Sequence, residues 1–132
     1  FLQRYSDKKI DKVVGIDARG FILSAVIAYE LSVGFVPARK KGKLPFKSIV
    51  EPYSLEYGSQ VLEMHEDAIC QDDRVLIVDD LIATGGTLEA TTKLVKKLGG
   101  CIVECACIIE LKELNGAAKI KRQHDLFSLL SY

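Results

Sequence analysis

Two adjacent carboxylates, Asp79 and Asp80, end the apolar run Arg74–Val78 and precede Leu81-Ile82-Ala83-Thr84-Gly85-Gly86-Thr87. The small residues Ala83, Gly85 and Gly86 let backbone N–H groups approach a ligand, and Thr84 and Thr87 add hydroxyl donors. A helix opening there contributes its positive dipole end, so the segment suits a phosphate monoester. The acids cannot share that anion, because like charges repel. They can accept hydrogen bonds from two neighbouring sugar hydroxyls. A phosphate cradle beside a diol acceptor describes ribose 5-phosphate. The segment is neither a Walker A loop nor Gly-x-Gly-x-x-Gly. The plainer alternative is a strand running into a capped helix, with Asp80 solvated and Thr84 as the cap.

Further segments carry charge in useful places. Asp17-Ala18-Arg19-Gly20 follows a short apolar run. Arg19 can offer a bidentate fork to phosphate, and Gly20 opens a helix whose N–H groups face an anion. A local Asp17–Arg19 ion pair is the alternative. Arg39, Lys40, Lys41 and Lys43 crowd four cations into five positions. Such a run is ordinarily a solvated loop, but beside a polyanion it becomes a local positive funnel. Glu56 falls near a hairpin tip, where by itself it reads as an exposed acid on a polar face. His65 and His124 lie outside these motifs and read as surface or packing residues.

These residues need a scaffold, and the hydropathy pattern supplies one. Lys12–Ile16 reads as a strand and Phe21–Ser32 as a helix, with apolar Ile22, Ala25, Val26 and Tyr29 at helical spacing. Phe35–Ala38 is a second strand, followed by a basic loop from Arg39 to Pro45. Residues 48–67 read as an antiparallel hairpin, in which Tyr53, Leu55 and Tyr57 alternate with polar neighbours. Arg74–Val78 is a strand buried on both faces, the next helix runs through Leu98 to a Gly99-Gly100 stop, and Ile102–Leu111 is another buried strand. Strand, helix and strand repeated at this spacing predict one α/β domain over residues 1–132. Its sheet is doubly wound and mainly parallel, with flanking helices and an antiparallel flexible hairpin. Ligands in such folds bind at the carboxyl ends of the strands.

Composition excludes several classes. The 18 basic and 18 acidic residues balance, so no global field draws in nucleic acid or a membrane surface. No apolar run approaches the ~20 residues of a membrane helix, and residues 1–12 lack the apolar core of a secretory signal. Cys101, Cys105 and Cys107 fall in an apolar strand, without metal-type spacing. With Cys70, they read as reduced core thiols of a cytoplasmic protein.

The segment Asp79 to Thr87 resembles the phosphoribosyl pyrophosphate motif of type I phosphoribosyltransferases, and its Asp-Asp-Leu-Ile-Ala-Thr-Gly-Gly-Thr form is similar to the adenine-specific branch. The similarity extends through Ile16–Phe21, Arg39–Pro45, Tyr53–Gly58 and Phe127–Leu130. It implies the type I fold and transfer of a 5-phosphoribosyl group to adenine, giving AMP and pyrophosphate. Asp79, Asp80, Ala83, Thr84, Gly85, Gly86 and Thr87 would hold ribose 5-phosphate. Asp17, Ala18, Arg19 and Gly20, with Arg39, Lys40 and Lys43, would hold pyrophosphate, some of the basic chains reaching across a homodimer interface. Leu81, Glu56 and Tyr57 would flank the base on a closing loop, and Glu56, Arg19, Asp79 and Asp80 would be catalytic. Mg²⁺ would arrive with the substrate, with Asp79 or Asp80 as an optional contact through water. The resemblance also implies a hood segment upstream of Phe1 that touches adenine; nothing in the chain matches it. Two alternatives stay open: another purine specificity, or a non-catalytic nucleotide-sensing regulator with this fold.

Overall fold

The computed structural model describes residues 1–54 and 58–132. Five parallel strands form its centre: β1 (Lys12–Ile16), β2 (Gly34–Lys40), β5 (Arg74–Ile82), β6 (Cys101–Glu110) and β7 (Leu126–Ser131). The antiparallel pair β3 (Ser48–Ser54) and β4 (Ser59–His65) extends the sheet beyond β2, giving the order β3-β4-β2-β1-β5-β6-β7. The helices are α1 (Leu2–Tyr5), α2 (Gly20–Glu30), α3 (Gly86–Lys97) and α4 (Gly116–Lys121), with a 3-10 turn at Lys112–Leu114.

The central strands are apolar over most of their length, as in Val75–Val78, because both faces are covered, as parallel strands require. Val14, Ile16, Ile77, Cys105 and Cys107 pack into one core with Leu94 of α3 and Ile120 of α4. Their neighbours Val13, Leu76, Val78 and Ala106 point the other way, toward Tyr5 and toward Ile27 and Ala28 of α2. Strands β1 and β5 lie side by side, with Gly15 opposite Val78. The helices that follow them, α2 and α3, pack on opposite faces, so the chain parts between the two strand ends. That parting is the switch point where a doubly wound sheet leaves a crevice.

The expected alternation of strands and helices is present, with differences at the ends. The β5–β6 ladder continues through Asp79↔Cys107 and Leu81↔Ile109, so the paired acids are strand residues. Arg39 and Lys40 likewise belong to β2, opposite Glu63 and Leu62, not to the loop after it. Ile22, Ala25, Val26 and Tyr29 all lie on the exposed face of α2. Its buried face is instead Gly20, Ser24, Ile27 and Ala28, and the small side chains at 20, 24 and 28 let the helix lie close to the sheet. The segment is apolar all round, so spacing alone did not tell inner from outer face. Cys101 is exposed, as is Cys70, and only Cys105 and Cys107 are core thiols. α1, α4 and β7 carry too few residues for a periodic signal.

Candidate active site

The crevice at the carboxyl ends of β1 and β5 has a volume of about 560 Å³. The turn after β1 brings Asp17, Ala18 and Arg19 to it, and the end of β5 brings Asp79, Asp80 and Leu81. Ala83, Thr84, Gly85, Gly86 and Thr87 form its floor, and Lys40 enters from β2. Residues up to 70 positions apart in the chain thus share one cavity.

The floor is a helix start with room for an anion. Gly85 is the N-cap of α3 at φ 78°, in the left-handed region that favours glycine. Its side-chain-free cap leaves the first N–H groups of α3 without the oxygen that Ser or Asp would supply. Gly116 supports the loop from behind, donating its N–H to the Ala83 carbonyl at 3.2 Å. A Cβ on Gly116 would meet that carbonyl oxygen at 2.2 Å, so no larger residue fits there.

The two acids differ in their surroundings. Burial pushes the Asp79 carboxyl up to about 7; the Asp80 N–H, donating to Asp79 Oδ1 at 2.9 Å, opposes this, and the Asp80 charge adds to it. Asp80 stands nearer solvent and pairs with Arg19, Nε to Oδ2 at 2.5 Å. The Arg19 side chain is 74% exposed, so this pair adds little stability. It nevertheless ties the β1 loop to the β5 loop across the crevice. A ligand carrying both a diol and a phosphate could take Asp80 and Arg19 apart and satisfy each.

The Asp17–Ala18 peptide is cis. Asp17 is anchored by its own N–H to the Ala38 carbonyl, 2.9 Å, and by Arg39 Nε to its Oδ2, 3.2 Å. Arg39 therefore faces the back of the loop and, through Nη1, the Lys43 carbonyl at 3.2 Å. Neither Arg39 nor Lys43 lines the crevice, and Gly20 opens α2 beside it without lining it. Glu56 and Tyr57 lie outside the described residues.

Sequence reasoning missed Tyr53 and Gln60, which line the hairpin side and are joined by Tyr53 Oη donating to Gln60 Oε1 at 2.8 Å. Burial raises the Tyr53 phenol above its ordinary value, against a contact with Thr87 and alongside the Asp79 charge. The alternation of Tyr53, Leu55 and Tyr57 could have placed Tyr53 on one face, but Gln60 carried no signal. Burial drives the Cys105 and Cys107 thiols up to about 12, so neither is a nucleophile. Among the described residues, no three of His, Cys, Asp and Glu are grouped to hold a metal ion. No described helix is long and apolar enough to cross a membrane.

Known proteins share this arrangement. The family model for the phosphoribosyl transferase domain matches residues 1–130. The adenine phosphoribosyltransferase of Desulfosudis oleivorans is 58% identical over 132 residues, covering 100% of this chain and 76% of that protein. The crystal structure of the Rhodothermus marinus adenine phosphoribosyltransferase superposes with a TM-score of 0.95 at 50% identity, over 99% of this chain and 74% of that one. The Saccharomyces cerevisiae enzyme, solved with an imino-altritol bisphosphate and adenine, gives a TM-score of 0.91 at 40% identity, over 98% of this chain and 72% of that one. With its type I fold and its acid pair set against a glycine cradle, the chain belongs to the phosphoribosyltransferase family, among the adenine phosphoribosyltransferases.

Proposed function

We infer that the chain transfers the 5-phosphoribosyl group of phosphoribosyl pyrophosphate to adenine, giving AMP and pyrophosphate in purine salvage. The observation that carries this reading is the crevice itself, where an acid pair adjoins an uncapped helix start.

In this reading, the N–H groups of Ala83 to Thr87 and the Thr84 and Thr87 hydroxyls hold the 5′-phosphate. Asp79 and Asp80 accept the ribose hydroxyls. As the bond from carbon 1 to pyrophosphate lengthens, the sugar becomes oxocarbenium-like, and the two carboxylates stabilise its positive charge in a partly dry site. Arg19 leaves Asp80 for the departing pyrophosphate, where Lys40 joins it. Leu81 packs beside the base, and Glu56 manages the proton on the purine ring. A ring nitrogen of adenine completes the displacement, so no protein nucleophile is needed.

The donor set fits a metal that arrives with its substrate, because two adjacent carboxylates have no third His, Cys, Asp or Glu grouped with them among the described residues. Asp79 or Asp80 would touch Mg²⁺ through water, and the ion would supply charge neutralisation at the leaving group. The partner we assign to the outer face of α2 is a second copy of the chain. Ile22, Val26 and Tyr29 are 74%, 54% and 81% exposed there in one stripe, an apolar patch of the kind that marks an interface. The four free cysteines accord with a cytoplasmic location.

The test is Mg²⁺-dependent AMP formation from phosphoribosyl pyrophosphate and adenine, run beside hypoxanthine and guanine. Turnover of adenine alone is expected. Comparable rates with guanine would overturn the base assignment, and no turnover of any base would overturn the transferase.

A further inference from the structure

Two carboxylates are buried among the described residues at 3–4% exposure, Glu104 and Glu63, and a buried acid is stable only where donors surround it. Glu104 is held by Arg4, with Nη2 to Oε1 at 2.6 Å and Nε to Oε2 at 2.8 Å, and by the Tyr5 hydroxyl at 2.6 Å. That cluster joins α1 to β6 and touches nothing in the crevice. Glu63 is different, because most of its donors are backbone N–H groups of the basic loop.

Glu63 lies in the middle of β4, between Arg39 of β2 and Val50 of β3. Its Oε1 accepts from Lys43 N and from Leu44 N, both at 2.8 Å. Its Oε2 accepts from Ser48 Oγ at 3.2 Å. Burial would push this carboxyl up, but the N–H groups of Leu44, Lys43 and Gly42 and the Ser48 hydroxyl outweigh it, so Glu63 stays ionised. The loop after Lys40 is thereby folded around an internal anion. The Lys43 carbonyl, fixed by that fold, accepts from Arg39 Nη1 at 3.2 Å, and Arg39 Nε reaches Asp17 Oδ2 at 3.2 Å. Asp17 lines the crevice next to Arg19, and Lys40 lines it from the strand that carries Arg39. A continuous hydrogen-bonded path runs from Glu63 to the turn after β1.

We propose that Glu63 is a positioning residue for the pyrophosphate half of the site: it sets the basic loop and, through Lys43 and Arg39, the Asp17–Arg19 turn. The proposal rests on the reading of that turn and Lys40 as the pyrophosphate side. The ribose 5-phosphate half, on β5 and α3, is braced by Gly116 and meets this path at the largely exposed Arg19–Asp80 pair, a weak link, so pyrophosphate binding should respond far more than ribose 5-phosphate binding.

Calorimetric titration of the protein with magnesium pyrophosphate and, separately, with ribose 5-phosphate tests this. Glu63→Leu should raise the Kd for pyrophosphate about tenfold, as expected for buried donors losing a charged acceptor, and leave that for ribose 5-phosphate within about twofold. Glu63→Gln, whose amide oxygen still accepts from both loop N–H groups, should restore most of the loss. In steady state, KM for phosphoribosyl pyrophosphate should rise while KM for adenine holds. Glu104→Gln serves as the structural control, lowering Tm without changing the ratio of the two affinities.

Equal weakening of both ligands by Glu63→Leu, or none of either, would overturn the proposal. Should Glu63→Leu not fold, Glu63→Asp, which keeps the charge but draws the carboxylate back from the loop N–H groups, and Ser48→Ala decide: a selective loss of pyrophosphate affinity in either supports it, and parent-like affinities in both overturn it. A parent protein that binds ribose 5-phosphate but not pyrophosphate would remove the underlying site reading, and this inference with it.

Discussion

The two limbs that meet at the crevice solve their packing in opposite ways. The β5–α3 limb is braced from its own side of the sheet, by α4 and by β3. Its helix buries Leu88, Leu94 and Val95 and turns Lys93, Lys96 and Lys97 to solvent, with Glu89 paired to Lys93 and Lys119. Its loop is braced by Gly116. The β1–α2 limb is borrowed from its surroundings. Its loop is held by Arg39 from the next strand and by Asp80 from the opposite limb, and its helix presents Ile22, Val26 and Tyr29 outward. In the proposed reading, the braced limb would offer a shaped phosphate cradle. The dependent limb, in that same reading, would offer charge that changes partners when ligand arrives. A site that must bind a diphosphate tightly and then release it can use one of each.

The comparison breaks most sharply at the acids that face both limbs. Asp80→Asn removes a charge that the transition state needs, and kcat/KM should fall about 10²–10³-fold. Tm should move little, since the Arg19–Asp80 pair is largely solvated. Parent-like kinetics in this variant would remove Asp80 from the chemistry. On the outer face of α2, Val26→Glu would place a charge in an apolar contact, weakening self-association by about 10²-fold in sedimentation velocity. The same charge at an outer position of α3, as in Lys96→Glu, should leave the mass unchanged. A parent protein that sediments as a monomer would show instead that the stripe is not covered by a second copy.

The smallest expected effect concerns Asp79. Its carboxyl titrates near 7 in the folded chain, against an ordinary value of 3.8. Between those values the native state holds a proton that the unfolded chain has lost, so this contribution is full in acid and disappears as pH rises through about 7. Ligand-free Asp79→Asn should therefore melt roughly 3–6 °C above the parent at pH 8, with the gap narrowing as pH falls below about 7 and closing toward 3.8. A gap independent of pH would mean that Asp79 is not strained by its burial. The same substitution should cost activity, because the amide replaces an acceptor with a donor toward the ribose hydroxyls.

Much of this was legible in the residues. Arg74–Val78 read as a strand buried on both faces, which the structure bears out, and Asp-Asp followed by Thr-Gly-Gly-Thr suggested a sugar phosphate as the ligand. These are local facts, set by side-chain size, charge and backbone freedom over a dozen positions, and they survive whatever the rest of the chain does. Distance along the chain hid the remainder. Tertiary packing decided that Arg19 lies on Asp80, that Arg39 turns away from the crevice to anchor Asp17, and that Gly116 backs the phosphate loop. It also decided which face of an all-apolar helix meets the sheet, since hydropathy is equal on both sides and only the flatness of Gly20, Ser24 and Ala28 separates them. Sequence by itself determined the kind of contact each residue can make. The fold determined its partner, because partners 20 to 60 positions away are chosen by strand order, and no local pattern encodes that order.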